Sequence, residues 1–279
     1  MQFRIIKVNI TIIMEMKRIN KIMIDIHAHI IPGIDDGAEN IDITLKMLKN
    51  AEKDGTKKIV ATPHYCMGYG EATINEIKLF VEKLNKKVKE EKINIEIYSG
   101  QEVYFSEHMI EDYKNGIIGT INDSKYMLIE FPMDKFDSNI FDVIYEIQLM
   151  GVKVIIAHPE RYLSIVENPF LINRFIEEGY LFQVNAGSIE GKFGKKIKKT
   201  AELLIKNRIY SFIGSDAHNE KSRPTGLSEA LKIADKLSFK TEGMFMNNSV
   251  KIINNQDVAF YGDKIKVKKS IFSFLARNK

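Results

Sequence analysis

The sequence predicts an α/β fold in which parallel strands alternate with helices and close into a distorted seven-stranded (β/α) barrel similar to a TIM barrel. Apolar runs of four to six residues, typical of buried strands, alternate with longer segments of helical periodicity. This alternation implies a parallel sheet with helical crossovers. No Pro/Gly-rich linker or charge block divides the 279 residues, a length that is ordinary for one barrel domain.

Seven strands and six helices are predicted from these patterns. The strands cover residues 23–27, 58–61, 93–98, 126–131, 152–157, 181–185 and 210–214. The helices cover residues 41–54, 73–89, 140–150, 170–178, 195–206 and 227–237. Gly55 directly follows the first helix, as expected of a residue that caps a helix C-terminus. We assign residues 1–22 to an N-terminal extension without functional weight, and residues 23–279 to a single barrel domain.

Composition limits the classes of function. The net charge is +4, and the lysines are spread along the chain, which predicts solvated helix faces and no nucleic-acid partner. A single cysteine, Cys66, excludes an intrachain disulfide and favours the reducing cytoplasm. No apolar run reaches the roughly 18 residues that a membrane span needs. The sequence therefore predicts a cytoplasmic protein without a membrane span.

The first predicted strand ends on two histidines, His27 and His29. Because alternate residues of a strand share one face, both imidazoles point the same way, and such a pair suits zinc, manganese or iron. Asp35 and Asp36 follow, just before Gly37. They are explained by an Asp-Gly turn, or by one of them binding a metal beside His29. The sequence leaves open which aspartate would bind.

Further candidate ligands lie at or just after the ends of later strands. In a barrel, these C-terminal ends meet on the face where such folds place their chemistry. The candidates are His64, Glu102, Glu130, His158, Asp216 and His218. Five of the six histidines of the chain occupy such positions, more than a random scatter would place there. Glu130 lies in an apolar run, where an unpaired carboxylate is costly to bury and a metal ion removes that cost.

Histidines mixed with carboxylates, without a thiolate, predict ions such as manganese, iron(II) or zinc. The ligands outnumber what one ion needs, so two or three ions are expected, and paired ions suit phosphate-ester hydrolysis. Arg161 and Arg223 each follow a candidate ligand and can grip a phosphate, although surface salt bridges explain them equally well. Cys66 lacks the arginine six residues later that a cysteine phosphatase uses, because residue 72 is alanine, so we interpret it as a bystander.

Five motifs resemble those of the PHP (polymerase and histidinol phosphatase) superfamily, and more narrowly the CpsB/YwqE-type bacterial tyrosine phosphatases of capsule and exopolysaccharide systems. They are Asp25-Ile-His-Ala-His29 with Asp35-Asp36-Gly37, Ala61-Thr-Pro-His64, Gly100-Gln-Glu102-Val103, Ala157-His-Pro-Glu-Arg-Tyr162, and Ser215-Asp-Ala-His218 with Arg223-Pro224. The resemblance implies a PHP-type barrel and a manganese-dependent phosphatase with three ions, for which iron or zinc are the other candidates.

The resemblance also implies how the ligands divide among the ions. One ion would take His27, His29, Glu102 and Asp216; a second would take Glu102 as a bridge, Glu130 and His158; the third would take His64, His218 and Asp36 in preference to Asp35. Arg161 and Arg223 are implied to bind phosphate. A water or a nearby acid such as His218 is expected to protonate the leaving oxygen.

The implied substrate is the phosphotyrosine-bearing tail of a bacterial tyrosine kinase that drives polysaccharide assembly. The leading alternative is a small-molecule phosphomonoesterase of histidinol-phosphatase type, which would use the same metals in a more closed pocket. A nuclease would need a basic groove, and the dispersed lysines argue against it. A metal-free binding module is the non-enzymatic alternative, and the complete ligand set argues against that. The sequence is compatible with a homo-oligomer.

Overall fold

The computed structural model describes residues 22–135 and 139–266, which contain nine strands and ten α-helices. The strands are β1 (Met23–Ala28), β2 (Thr56–Ala61), β3 (His64–Tyr65), β4 (Glu96–Ser99), β5 (Glu102–Tyr104), β6 (Tyr126–Glu130), β7 (Lys153–Ile156), β8 (Leu181–Asn185) and β9 (Phe212–Gly214). The helices are α1 (Ile41–Asp54), α2 (Ile74–Glu90), α3 (Met109–Lys114), α4 (Ile140–Leu149), α5 (Leu163–Glu167), α6 (Ile172–Glu177), α7 (Ala186–Glu190), α8 (Lys195–Lys206), α9 (Ser228–Leu237) and α10 (Thr241–Ile253). The predicted extension 1–22 lies outside this description except for residue 22.

The strands form two parallel sheets that join at their edges. The first has the order β1-β2-β4, and the second has the order β3-β5-β6-β7-β8-β9. Ala28 at the end of β1 forms a parallel bridge with Ala217 just after β9, and the amide of Asp216 donates to the carbonyl of His27 at 2.8 Å. The sheet therefore curls around until β1 lies beside the end of β9. The predicted α/β fold with parallel strands is confirmed, and the count of seven strands stays a prediction.

Two short connections at the rim of the sheet each separate a strand from the next one along the chain. Pro63 separates β2 from β3, and it lacks the N–H that a continuous strand would need at that point. Gly100 separates β4 from β5 and lies against β2: a Cβ atom at this position would lie 2.9 Å from Val60 Cγ1. The chain bends at both places, so β3 and β5 pair with each other and bring His64 opposite Glu102.

The interior face of the sheet changes from apolar to polar along the strands. On β6, Tyr126 and Leu128 belong to a buried apolar cluster, whereas Glu130 on the same face lies at the polar end. On β8, Leu181 belongs to that apolar cluster, and Gln183 and Asn185 follow with alternate spacing. The apolar half of the interior anchors the strands, and the polar half forms the candidate site.

Most predicted boundaries agree closely with the structure, and a few are wrong. Helices α1 and α8 and strand β8 match the predicted ranges to the residue. The predicted strand 93–98 begins only at Glu96, because the amides of Ile93 and Asn94 donate to the carbonyl of Val88 and to the Glu52 carboxylate instead of to a neighbouring strand. The predicted helix 170–178 is a 3-10 turn, Pro169–Leu171, followed by α6.

Helix α10 was not predicted, because its middle contains polar residues. Asn248 is buried, and its side chain donates to the carbonyl of Ser211 at 3.0 Å. Ser249 donates to the carbonyl of Phe245 within the helix at 2.9 Å. These bonds satisfy the polar groups, so that Phe245 and Ile252 can pack in the core. None of the helices in the described residues combines the length and apolar character that a membrane-spanning segment requires.

Candidate metal centre

The structure brings all the predicted ligand residues together at the polar end of the sheet. Their side chains differ in burial. His27, His29, Glu102 and Asp216 are at most 1% exposed, and we call these four residues the inner group. Asp36, His64 and His218 lie nearer the solvent, with side-chain exposures of 42%, 14% and 4%, and we call these three the outer group. Glu130 and His158 lie beside Glu102.

The inner group has the spacing of ligands around one ion. His27 Nε2 lies 3.2 Å from His29 Nε2, and each of these nitrogens lies 3.2 Å from Glu102 Oε2. Asp216 Oδ1 lies 3.6 and 3.5 Å from the same two nitrogens. Atoms spaced in this way approximate a tetrahedron whose centre is about 2.0 Å from each of them, which is the length of metal–nitrogen and metal–oxygen bonds.

Hydrogen bonds behind the two histidines fix which ring nitrogen is free. His27 Nδ1 donates to Gln183 Oε1 at 3.0 Å, and His29 Nδ1 donates to Asp35 Oδ2 at 2.7 Å. Both Nε2 lone pairs therefore face each other and the Glu102 carboxylate. Lone pairs and a carboxylate at this distance repel one another unless a cation lies between them, so the donor set fits a metal ion.

The electrostatics of the inner group also favour positive charge. Burial alone would lower the pKa of His29, but its hydrogen bonds with Asp35 and Glu102 raise that pKa well above its usual value. For His27, the charges of Glu102 and Asp216 likewise outweigh burial and raise the pKa. Two imidazoles that hold protons so strongly lie in a negative environment. A divalent cation would supply the same charge without protonating the ligands.

Glu102 extends the cluster toward Glu130 and His158. His158 Nε2 lies 3.0 Å from Glu102 Oε1 and 3.4 Å from Glu130 Oε1, while His64 Nδ1 lies 3.2 Å from Glu102 Oε2. Burial, followed by the charges of Glu102 and Asp216, raises the pKa of Glu130 to about 9. Such a shift indicates an excess of negative charge around the buried carboxylates of Glu102, Glu130 and Asp216. The two oxygens of Glu102 face different neighbours, as a bridging ligand requires.

The outer group distinguishes the two aspartates that the sequence left open. Asp35 is occupied, because its carboxylate accepts from His29 Nδ1 and from the amides of His64 and Gly37, both at 2.9 Å. Asp36 instead directs Oδ1 toward His218 Nε2 at 3.2 Å and toward His64 Nε2 at 3.6 Å. The geometry supports Asp36 as the ligand and Asp35 as the residue that orients His29.

His218 is oriented as a ligand more than as a proton donor. Its Nδ1 lies 3.1 Å from the carbonyl oxygen of Asp216, so that nitrogen holds the hydrogen. The other nitrogen, Nε2, is buried without a hydrogen-bond partner among the described residues and faces Asp36. An unpartnered buried nitrogen beside a carboxylate is a second sign that a cation fits there.

Two candidate ligand residues have backbone conformations that residues other than glycine rarely adopt. His158 has φ +29° and Asp216 has φ +51°, both in the left-handed region that favours glycine. Each lies two residues after the end of a strand, where this turn directs its side chain into the site. Strain of this kind is tolerated at functional sites when the surroundings fix it.

Arg161 and Arg223 both pair with Asp216 at the edge of the cleft. Arg161 Nη1 lies 2.7 Å from Asp216 Oδ2, and Arg223 Nη2 lies 2.6 Å from Asp216 Oδ1. The ring of Phe193 lies under both guanidinium groups, with its centroid 4.9 and 6.0 Å from their central carbons. The two arginines are thus held at the site by a buried carboxylate and an aromatic ring, and not by surface salt bridges.

Several positioning residues were not predicted. Gln183 Nε2 donates to Asn185 Oδ1 at 2.8 Å, and Asn185 Nδ2 donates to Asp216 Oδ2 at 2.6 Å, which links two inner ligands through β8. Glu160 is fully buried and accepts from the amide of Asn185 and from the hydroxyl of Tyr210. The sequence feature that could have indicated Gln183 and Asn185 is their alternate spacing as two amides in an otherwise apolar strand.

An open cleft of about 210 Å³ leads from the solvent to these ligands. Asp36, His64, Arg161 and Arg223 line it, and Cys66, Tyr69 and Tyr104 complete its wall. Burial raises the pKa of the Cys66 thiol, which leaves it protonated and agrees with its interpretation as a bystander.

Comparisons with known proteins agree with this picture. The family model for capsular polysaccharide synthesis, CpsB/CapC, matches residues 23–254. The tyrosine-protein phosphatase YwqE of Bacillus subtilis is 34% identical over 254 residues, which are 90% of this chain and 100% of that protein. The tyrosine-protein phosphatase CpsB of Streptococcus pneumoniae is 31% identical over 241 residues, 84% of this chain and 99% of that protein.

A solved structure shows the same fold. The matched chain belongs to a crystallographic study of YwqE from Bacillus subtilis and CpsB from Streptococcus pneumoniae, two metal-dependent tyrosine phosphatases. The TM-score is 0.83 at 34% sequence identity, and the match covers 88% of this chain and 100% of the other.

Proposed function

Because this chain belongs to the CpsB/CapC family, we propose that it is a metal-dependent protein-tyrosine phosphatase. The observation that carries the proposal is the inner group, in which two imidazole lone pairs and two carboxylates converge on one point. Two arginines lie at the edge of the same open cleft, where they can bind a phosphate. The named activities of the relatives support phosphotyrosine as the group that is hydrolysed.

We propose manganese as the ion, with two or three ions per chain. The residues that would hold them are His27, His29, Glu102 and Asp216 for one ion, Glu102, Glu130 and His158 for a second, and His64, His218 and Asp36 for a third. Bound ions supply the positive charge that activates water for attack and offsets the charge on the phosphoryl oxygens. The mixture of imidazole and carboxylate ligands supports manganese, with iron or zinc as the alternatives.

Other side chains of the protein would bind the phosphate and orient the metal ligands. Arg161 and Arg223 bind the phosphate oxygens through their forked N–H groups, and Phe193 holds both guanidinium groups in place. Gln183 and Asp35 keep His27 and His29 in the tautomer that presents Nε2 to the site. The leaving phenol has a pKa of about 10, so it needs less help from an acid than an alkyl alcohol would.

We further propose the biological setting. The substrate is the phosphotyrosine-bearing tail of a bacterial tyrosine kinase in capsule or exopolysaccharide synthesis, and the protein acts in the cytoplasm. The family description supports the link to capsule synthesis, and the open cleft supports access by a peptide. The protein is also proposed to assemble as a homo-oligomer.

For the fold, we propose that β2 with β3, and β4 with β5, each count as one bent strand. The described strands would then form a seven-stranded barrel of PHP type. Residues 23–279 would form a single domain that contains this barrel, and residues 1–22 would precede it as an extension. The pairing of β3 with β5, directly after the bends, supports this count.

A substrate comparison tests the proposed function. The purified protein is stripped of metal, reconstituted with Mn²⁺ and assayed on tyrosine-phosphorylated peptides and on histidinol phosphate. We expect kcat/KM to be at least about a hundredfold higher for the peptides, and His27→Ala to abolish both activities. A preference for histidinol phosphate would replace the proposal by the small-molecule alternative.

A further inference from the structure

A second pocket, of about 230 Å³, adjoins the metal cleft. We call it the side pocket, and it is lined by Tyr65, Cys66, Met67, Tyr104, Phe105, Ser106 and Asp112. We propose that the side pocket binds a lysine or arginine side chain of the peptide substrate, close in sequence to the phosphotyrosine. The inference rests on the proposed function and adds a sequence preference to it.

The side pocket is continuous with the metal cleft. Cys66 and Tyr104 line both spaces, so they form the wall that the two share. Cys66 follows the candidate ligand His64 by two residues, and Tyr104 follows Glu102 by two residues. An extended peptide advances about 3.3 Å per residue, so a residue one to three positions from the phosphotyrosine can reach across this wall.

The walls suit a long side chain with an apolar stem. Tyr65, Tyr104 and Phe105 contribute aromatic rings, and Met67, which is 70% exposed, contributes a thioether at the rim. Lysine and arginine bury their methylene stems along such surfaces and keep the charged end polar. Aromatic rings also attract cations, which adds to the preference for a basic side chain.

Asp112 provides the charge that selects a cation. It lies on α3 and lines the side pocket, and within residues 22–135 and 139–266 no lysine or arginine forms an ion pair with its carboxylate. His108, one turn earlier on the chain, acts on it only as a charge at longer range.

With ions bound in the metal cleft, the two neighbouring pockets would have opposite electrostatic preferences. The metal cleft presents Arg161 and Arg223 and would receive the phosphate, whereas the side pocket presents Asp112. An acidic side chain would be repelled from the side pocket, and a purely apolar one would gain no ion pair with the Asp112 carboxylate. A basic residue satisfies both the aromatic walls and the carboxylate.

A peptide series on the Mn²⁺-reconstituted full chain tests this inference. One phosphotyrosine peptide is varied to lysine, alanine or glutamate at each of three positions on either side of the phosphotyrosine. The protein variants are Asp112→Asn and, as a matched control, Glu111→Gln, which removes an exposed carboxylate from the same helix. A small aryl phosphate, which cannot reach the side pocket, reports the basal activity of each variant.

At one position or more, we expect lysine to raise kcat/KM about five- to tenfold over alanine, and glutamate to lower it. Asp112→Asn should abolish this preference and leave hydrolysis of the aryl phosphate and of the alanine peptide unchanged, while Glu111→Gln should keep the preference. The inference is overturned if no position favours lysine in the unmodified protein, or if the preference survives Asp112→Asn. Failure of the unmodified protein to hydrolyse the aryl phosphate or the alanine peptide would instead contradict the proposed function.

Discussion

The inner and outer groups of the candidate metal centre use the same types of ligand in different surroundings. The inner side chains are almost completely buried, and Gln183 and Asp35 fix the tautomers of the inner histidines. In the outer group, the side chain of Asp36 is 42% exposed, and that of His64 is 14% exposed. Water could therefore replace an ion beside Asp36 and His64, whereas the side chains of the inner group are closed to solvent.

This difference implies unequal affinities for metal. Buried lone pairs and carboxylates that face one another pay a high cost when no cation is present, so the inner group should bind its ion tightly. The exposed carboxylate of Asp36 can be hydrated instead, so the outer group should release its ion more readily. Variants of the inner group should therefore lose metal and activity, whereas variants of the outer group should lose activity that excess metal restores.

The largest effect is expected inside the inner group. His27→Ala removes one corner of the tetrahedron of ligands, so kcat on a phosphotyrosine peptide should fall on the order of a thousandfold or more, and the bound metal should be lost. Elemental analysis of the purified variant and steady-state kinetics measure both. His108→Ala, which replaces an exposed histidine outside the site, should change neither. A His27→Ala variant with full metal content would break the distinction between the two groups.

Arg161→Ala tests whether rate and metal binding separate. The guanidinium group contacts Asp216 but supplies no ligand atom, so we expect kcat/KM to fall about a hundredfold with the metal content unchanged. Arg174→Ala, at an exposed arginine paired with Glu178, is the matched control and should leave kcat/KM unchanged. Unaltered turnover in Arg161→Ala would remove this arginine from phosphate binding.

Asp36→Asn probes the outer group. At limiting Mn²⁺ the activity should fall roughly thirtyfold, and excess Mn²⁺ should restore most of it, because only the more weakly bound ion is affected. A titration of activity against Mn²⁺ concentration measures this, with Asp42→Asn on the exposed start of α1 as the control. If excess metal restores nothing, Asp36 does more than hold a readily exchanged ion.

Gln183→Leu sharpens the role of the residues behind the inner ligands. Loss of the acceptor for His27 Nδ1 frees the tautomer of that imidazole, so the affinity for the inner ion should fall about tenfold. Competition with a chelator measures the affinity. Gln148→Leu, which changes a glutamine on α4 outside the candidate metal centre, serves as the control and should leave the metal affinity unchanged. Unchanged affinity in Gln183→Leu would show that burial alone orients His27.

The sequence predicted which side chains converge at the strand ends, because strand ends can be recognised and histidine is rare elsewhere in this chain; their role as metal ligands stays a prediction. It did not decide between Asp35 and Asp36, since both lie in the same turn and only the folded loop directs one toward His29 and the other toward His218. Patterns along a chain report which face a residue occupies, not which of two neighbours reaches a given atom.

The positioning residues were missed for a related physical reason. Gln183 and Asn185 resemble any amide that is satisfied inside a strand until the partners from β1 and the loop after β9 are known. Asp112 gave no signal either, because its isolation from basic side chains is a property of the folded pocket. Contacts between distant segments, not local patterns, define these roles.

Anomalous scattering from crystals grown with Mn²⁺ tests the central claim most directly. We expect a manganese peak in contact with His27 Nε2, His29 Nε2, Glu102 Oε2 and Asp216 Oδ1 together, at full occupancy even when the peak near Asp36 is weak. A structure in which those four atoms remain converged around empty space in saturating Mn²⁺, or in which the peak lies away from them, would contradict the account.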